Sequence, residues 1–226
     1  MKPVGILGGM GPEATILLMQ KVLTAVPARD DGDHIPLIVH QNPQVPSRIA
    51  VLIDGAGVDP EPVLKTMAWD LHMSGARALA MPCNTAHHYA PAVSAATPLP
   101  FLNMLDLTAK TLADRDATRI GMLASPATRI TGVFDTPFAA LGLTAVTATD
   151  DAPLLTLIRE IKGGARPDQL RGRLHDIATG LLDQGADHLL VACTELSLMT
   201  DDLPGGAPWT DSLDCLTDAI VDFARG

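Results

Sequence analysis

The hydrophobic positions of the chain alternate between two periodicities. Short aliphatic runs of strand length recur, and between them apolar residues follow the three- and four-residue spacing of a helix face. The predicted strands cover residues 3–7, 35–40, 78–82, 120–124, 143–148 and 189–192. The predicted helices cover residues 12–26, 60–75, 108–112, 153–162, 167–184 and 213–224. Strands that alternate with helices predict an α/β fold with mainly parallel sheets.

A nine-residue pattern, Gly-Ala-x-x-Leu-x-x-x-Cys, occurs at residues 75–83 and again at residues 185–193. Its apolar positions alone would fit any junction between a glycine-capped helix and an aliphatic strand. The matching cysteines, Cys83 and Cys193, favour a duplicated unit and therefore two similar lobes. Ligands of open α/β sheets bind at the carboxyl edge of the strands, so facing lobes would share one cleft. We assign residues 1–105 plus 210–226 to one lobe and residues 106–209 to the other.

Composition excludes several functional classes. The net charge of the 226-residue chain is −10 and no cluster of Lys or Arg occurs, which argues against a nucleic-acid partner. Three cysteines are too few for a disulfide framework, and no spacing indicates a zinc site. No apolar stretch has the length of a membrane span, and the first one is too short for a signal peptide. We therefore expect a soluble, cytoplasmic protein without a metal or a membrane partner.

Polar residues follow each repeated cysteine at the end of its strand. Asn84-Thr85 follows Cys83, and Thr194-Glu195 follows Cys193. A thiol at a helix N-terminus has a lowered pKa, so both cysteines are expected to favour thiolate near neutral pH. The glycine loop at residues 9–14 formally matches a dinucleotide fingerprint, but the second strand ends without the required carboxylate. Its N–H groups suit a small anion instead.

Together, these segments resemble the signatures of the aspartate/glutamate racemase family, and they come closest to its aspartate racemase branch. The matching segments are residues 8–15 (GGMGPEAT), 82–87 (PCNTAH) and 193–195 (CTE), with further similarity at residues 46–48 and 100–106. The resemblance spans essentially the whole chain. It implies lobes related by a pseudo-twofold axis with the active site between them, a homodimer, and racemisation of an amino acid without pyridoxal phosphate, metal or any other cofactor.

The resemblance also implies the site residues. Cys83 and Cys193 would be catalytic, one thiolate removing the α-proton while the opposite thiol donates a proton to the other face of the carbon. Inversion needs a base and an acid on opposite sides, and two like groups serve both directions. The substrate-binding residues that carry over are Met10, Arg48, Asn84, Thr85, Thr128, Lys162, Thr194 and Glu195.

Three of these residues keep a second interpretation. Arg48 either pairs with a substrate carboxylate or is a solvated surface charge. Lys162 either lies near the substrate side chain or complements a helix C-terminus. Glu195 either orients Cys193 or complements the N-terminus of the helix that follows.

The leading hypothesis is interconversion of L- and D-aspartate, with glutamate or a broader range of amino acids next. Ser47 stands where many family aspartate racemases have aspartate, and Ile49 replaces a common threonine, which leaves side-chain selectivity open. Another superfamily isomerase, of the maleate isomerase or hydantoin racemase type, is the alternative. A catalytically silent amino-acid-binding protein is a third, and the presence of both thiols argues against it.

Overall fold

The computed structural model describes all 226 residues, and its strands form two four-stranded sheets. The strands are β1 (Val4–Gly8), β2 (Leu37–Gln41), β3 (Ala78–Ala80), β4 (Phe101–Leu102), β5 (Arg119–Ala124), β6 (Thr144–Val146), β7 (His188–Ala192) and β8 (Trp209–Asp211). The α-helices are α1 (Pro12–Thr24), α2 (Arg48–Leu52), α3 (Glu61–Met73), α4 (Ala90–Ala95), α5 (Met104–Asp114), α6 (Pro126–Ile130), α7 (Asp135–Leu141), α8 (Ala152–Lys162), α9 (Arg173–Asp183) and α10 (Ser212–Arg225).

The two sheets have the same topology. Their strand orders are β2-β1-β3-β4 and β6-β5-β7-β8, and every pairing is parallel. The third strand of each sheet, β3 or β7, leads to a repeated cysteine, Cys83 or Cys193. Helices flank both sheets, so the predicted α/β fold with two similar lobes is confirmed.

Two glycines reveal that the duplication extends to side-chain packing. A Cβ atom at Gly5 of β1 would lie 2.9 Å from the Cβ of Ala76, and one at Gly121 of β5 would lie 3.1 Å from the Cβ of Ala186. Ala76 and Ala186 are the second residues of the repeated nine-residue pattern. In both lobes, the turn before the cysteine-bearing strand therefore packs directly on the backbone of the neighbouring central strand.

This close approach predicts matched losses of stability. Gly5→Ala and Gly121→Ala should each lower the free energy of unfolding by about 1–3 kcal/mol, because the added methyl overpacks a filled core. Urea unfolding measures the change. Gly180→Ala is the control, because Gly180 lies inside α9 with open space around its Cβ position. This substitution should raise the free energy of unfolding by about 0.5–1 kcal/mol. A Gly121→Ala protein as stable as the unmodified chain would contradict the packing argument.

The C-terminal helix packs against the first sheet although it follows the second. Leu213, Leu216 and Ile220 of α10 lie in the same buried cluster as Val4 and Ile6 of β1. Residues 210 and 211, which we assigned to the first lobe, form β8 of the second sheet together with residue 209. The exact lobe boundaries stay a prediction.

The helix predicted at residues 167–184 begins too early, because only the part from Arg173 to Asp183 is α-helical. A short 3₁₀ helix at Pro167–Gln169 precedes α9, which begins only at Arg173. Gly172 separates them because its φ of 81° lies in the left-handed region, which a right-handed helix cannot include. The short strands β4 and β8 were not predicted, since two or three residues display no periodicity. None of the helices combines the length and the apolar character that a membrane span requires.

Candidate active site

A cavity of about 460 Å³ lies where the strands of both sheets end. Segments that follow β1, β3, β5 and β7 form part of its wall. Both repeated cysteines line it, together with most of the substrate-binding residues predicted from the sequence. The predicted residues on the wall are Cys83, Cys193, Arg48, Asn84, Thr85, Lys162, Thr194 and Glu195, whereas Met10 and Thr128 are not on it.

Cys193 forms one end of a chain of three polar side chains. Its Sγ donates a hydrogen bond to Oε2 of Glu195 at 3.1 Å. The other carboxylate oxygen, Oε1, accepts from the Nζ of Lys162 in an ion pair. Glu195 therefore links the buried thiol to the cation at the end of α8.

The electrostatics of this chain keep Cys193 protonated. Burial raises the pKa of the Cys193 thiol well above its ordinary value, the charge of Glu195 raises it further, and Lys162 acts in the opposite direction. The expectation of a thiolate at Cys193 is therefore wrong. The chain after it forms a 3₁₀ helix, Leu196–Asp202, and not an α-helix.

Lys162 remains a cation in this setting. Burial by itself lowers the pKa of Lys162, but the charge of Glu195 and the hydrogen bond to Glu195 raise it above its ordinary value. The positive charge of Lys162 therefore stabilises the Cys193 thiolate when that sulfur loses its proton.

Glu195→Gln is expected to lower the pKa of Cys193, because glutamine removes the negative charge and leaves Lys162 unpaired near the sulfur. A fall of one pKa unit would raise the thiolate fraction at fixed pH about tenfold, and the rate of iodoacetamide alkylation would rise by a smaller factor because a thiolate of lower pKa is less nucleophilic. Peptide mass spectrometry separates Cys193 from Cys83. Glu13→Gln is the matched control, since Glu13 also lines the cavity without being hydrogen-bonded to the thiol. Unchanged or slower alkylation of Cys193 would refute this account.

Two threonine contacts join segments that follow strands of different sheets. The Oγ1 of Thr194 donates to the carbonyl oxygen of Pro82 at 3.3 Å, beside the opposite cysteine. The Oγ1 atoms of Thr85 and Thr128 lie 3.3 Å apart. Thr128 is therefore placed behind Thr85 and supports it from outside the cavity wall.

Arg48 is anchored by backbone carbonyl groups. Its Nη1 donates to the oxygen of Pro46 at 3.0 Å and its Nη2 to the oxygen of Met10 at 3.1 Å. The Nε is buried without an acceptor in the chain. Met10 thus contributes a carbonyl oxygen that holds Arg48, while its side chain is buried in an apolar cluster.

His87 fixes the backbone of Cys83 and stays neutral. Its Nε2 accepts from the N–H of Met104 at 3.2 Å, so its Nδ1 carries the proton and donates to the carbonyl oxygen of Cys83 at 2.9 Å. Burial lowers the pKa of His87 to about 4, and the Cys83 hydrogen bond only partly opposes this. His87 is therefore a structural support rather than an acid or base at neutral pH.

Sequence reasoning missed Ser212, which contacts one of the predicted residues. The Nδ2 of Asn84 donates to the Oγ of Ser212 at 3.0 Å, and that Oγ donates to the carbonyl oxygen of Val191 at 3.0 Å. A serine at a helix start indicates only a cap, so no signal in the sequence distinguished it. Apolar side chains of Val45, Ile49, Ile158 and Ile161 also line the cavity. No group of three or more His, Cys, Asp or Glu side chains is arranged to hold a metal ion.

Comparisons with known proteins agree with this architecture. The Asp/Glu/Hydantoin racemase family model matches residues 7–220. The broad specificity amino-acid racemase RacX of Bacillus subtilis is 25% identical over 96% of each chain. The aspartate racemase structure from Picrophilus torridus superposes with a TM-score of 0.90 at 27% identity, covering 100% of this chain and 95% of that one.

Glutamate racemase from Francisella tularensis shares the fold, with a TM-score of 0.70 at 14% identity over 98% of this chain and 80% of that one. The resemblance recognised from the sequence is therefore confirmed over nearly the whole chain. The chain belongs to the Asp/Glu/Hydantoin racemase family.

Proposed function

We propose that this protein is a cofactor-independent racemase that interconverts L- and D-aspartate through Cys83 and Cys193. One observation carries the proposal: thiols from equivalent positions of two lobes line the same cavity. Membership of a racemase family supports the reaction class, and the likeness to an aspartate racemase structure supports the substrate.

The unequal surroundings of the two thiols support a division of roles. Cys193, held as a thiol by burial and Glu195, is the proton donor of the resting enzyme. Cys83 as thiolate takes the α-proton from the opposite face. After one turnover Cys83 carries the proton and Cys193 is the thiolate, beside the cation of Lys162. The reverse reaction restores the first state, so both directions use the same pair.

Polar groups around the cysteines would stabilise the carbanionic intermediate. We propose that the side chains of Asn84, Thr85 and Thr194, with backbone N–H groups of the cysteine loops, bind the amino and carboxylate groups of the substrate. Donors aimed at the carboxylate become more valuable as negative charge develops there in the transition state. The threonine contacts across the cleft would keep these donors in place.

Arg48 supports an acidic substrate. Its Nε is buried, has no acceptor and belongs to a residue on the cavity wall. A buried donor without a partner is unfavourable, and the Nε edge of a guanidinium suits a carboxylate. The side-chain carboxylate of aspartate would supply the missing acceptor.

A broader substrate range is the second candidate. The apolar wall formed by Val45, Ile49, Ile158 and Ile161 would accept an aliphatic side chain, and the broad-specificity relative from Bacillus subtilis is similar over 96% of its length. An isomerase of the maleate or hydantoin type remains an alternative within the superfamily. The predicted homodimer stays a prediction.

Isotope labelling tests the proposal. The protein is incubated with L-aspartate in heavy water, with a chelator and without pyridoxal phosphate, and both enantiomers are followed by chiral chromatography and mass spectrometry. Early D-aspartate should carry deuterium while the remaining L-aspartate stays largely unlabelled. Parallel assays with L-glutamate and L-leucine define the range of substrates. No conversion of any amino acid would overturn the racemase proposal.

A further inference from the structure

Asn84 contains a buried hydrogen-bond acceptor that no group of the protein satisfies. Its side chain lies on the cavity wall and the residue is only 2% exposed. The Oδ1 atom accepts no hydrogen bond, whereas Nδ2 donates to Ser212. Because an unsatisfied buried carbonyl oxygen is costly, a free acceptor at this place indicates a group meant for a ligand donor.

The hydroxyl group of Ser212 determines which end of the Asn84 amide remains free. A serine hydroxyl has a single hydrogen, and that of Ser212 is donated to the carbonyl oxygen of Val191. Toward Asn84 the Oγ can therefore only accept. The NH₂ group is the only donor on the Asn84 side chain, so it must turn to Ser212 and leave Oδ1 without a protein partner.

We propose that Ser212 is a positioning residue that holds the Asn84 amide so that Oδ1 accepts from the α-ammonium group of the substrate. This inference rests on the proposed amino-acid substrate. An ammonium group supplies charged donors, which make stronger hydrogen bonds with a carbonyl oxygen than neutral donors do.

The same hydroxyl also links the residue after Cys83 to the strand that leads to Cys193. Asn84 follows Cys83 directly, and Val191 lies two residues before Cys193. The neighbouring Asp211 fixes the start of α10, since its Oδ1 accepts from the N–H of Leu213 at 2.8 Å. Ser212 therefore sets the place of the substrate nitrogen relative to both sulfur atoms.

Ser212→Ala tests the assignment through ligand discrimination. Calorimetry compares racemic aspartate with succinate, which has both carboxylates but no ammonium group. The Kd for aspartate should rise about 10- to 100-fold, as expected for a lost charge-assisted hydrogen bond, while that for succinate should change less than about threefold. Thr217→Ala is the control, because it removes another buried hydroxyl of α10 that bonds only within the helix. Equal weakening of both ligands by Ser212→Ala would overturn the ammonium assignment.

Side-chain amide exchange provides a test that needs no activity. In protein labelled with ¹⁵N-asparagine, the Nδ2 protons of Asn84 should exchange with solvent more slowly in the unmodified chain than in Ser212→Ala. Equal exchange in both would show that Ser212 does not hold the amide and would overturn the proposal. If the unmodified protein binds neither ligand and racemises nothing, the proposed function fails, while the exchange rates still decide the role of Ser212.

Discussion

Replacing either cysteine of the cavity by alanine is expected to lower kcat for aspartate racemisation about 10²- to 10⁴-fold, the contribution of a positioned acid or base. Racemisation needs proton removal on one face and delivery on the other, so loss of either thiol slows inversion. The two variants should still differ in α-proton exchange. Cys193→Ala retains Cys83 as a base, whereas Cys83→Ala leaves only Cys193, whose pKa is raised by burial and Glu195.

Chiral chromatography measures inversion in these variants, and ¹H NMR in heavy water measures exchange without inversion. We expect Cys193→Ala to exchange the α-proton of one enantiomer and Cys83→Ala to exchange little of either. Cys215→Ala is the matched control, because Cys215 is equally buried but lies on α10 outside the cavity wall. Full racemisation by Cys83→Ala or by Cys193→Ala would contradict the paired mechanism.

Asp211→Asn should stabilise the protein at neutral pH. Burial raises the pKa of Asp211 to about 6, opposed in part by hydrogen bonds and by Lys21. The ordinary value of about 3.9 applies in the unfolded chain, so protonation of Asp211 favours the folded state. This contribution is complete below about pH 4 and is lost as pH rises through about 6. Two pKa units correspond to about 3 kcal/mol.

Asparagine stays neutral at every pH and can still cap α10 through its Oδ1. The difference in free energy of unfolding between Asp211→Asn and the unmodified chain should therefore grow by about 3 kcal/mol from about pH 4 to about pH 8. Urea unfolding at several pH values measures it. Asp222→Asn, an exposed change on the same helix, is the control for the loss of one carboxylate from α10. If the difference in free energy of unfolding for Asp211→Asn does not change with pH, the explanation by a buried carboxyl group is refuted.

Periodicity was sufficient to predict most of the architecture. The aliphatic runs correspond to β1, β2, β3, β5, β6 and β7, and the repeated cysteine pattern predicted lobes that have the same strand order. Periodicity failed where an element was too short to repeat, as in β4 and β8, and at Gly172, where one left-handed residue separates two helical segments.

The sequence predicted which residues line the site, but it did not predict the protonation state of Cys193. Local sequence placed Cys193 before a helix and therefore predicted a thiolate. The folded chain adds two effects that no local pattern records: burial of the sulfur and a carboxylate, Glu195, that is turned back onto it. The role of Ser212 could not be predicted for a similar reason, since its hydrogen-bond partner Asn84 is distant in sequence and comes into contact with it only in the folded chain.

The position of α10 has a consequence for synthesis of the chain. The first sheet is complete in its strands by residue 102, yet its core includes apolar residues of the last helix, among them Leu216 and Ile220. Those residues leave the ribosome after the entire second sheet has emerged. Until they emerge, the lobe that is translated first lacks part of its core and exposes an apolar face that a chaperone would have to protect.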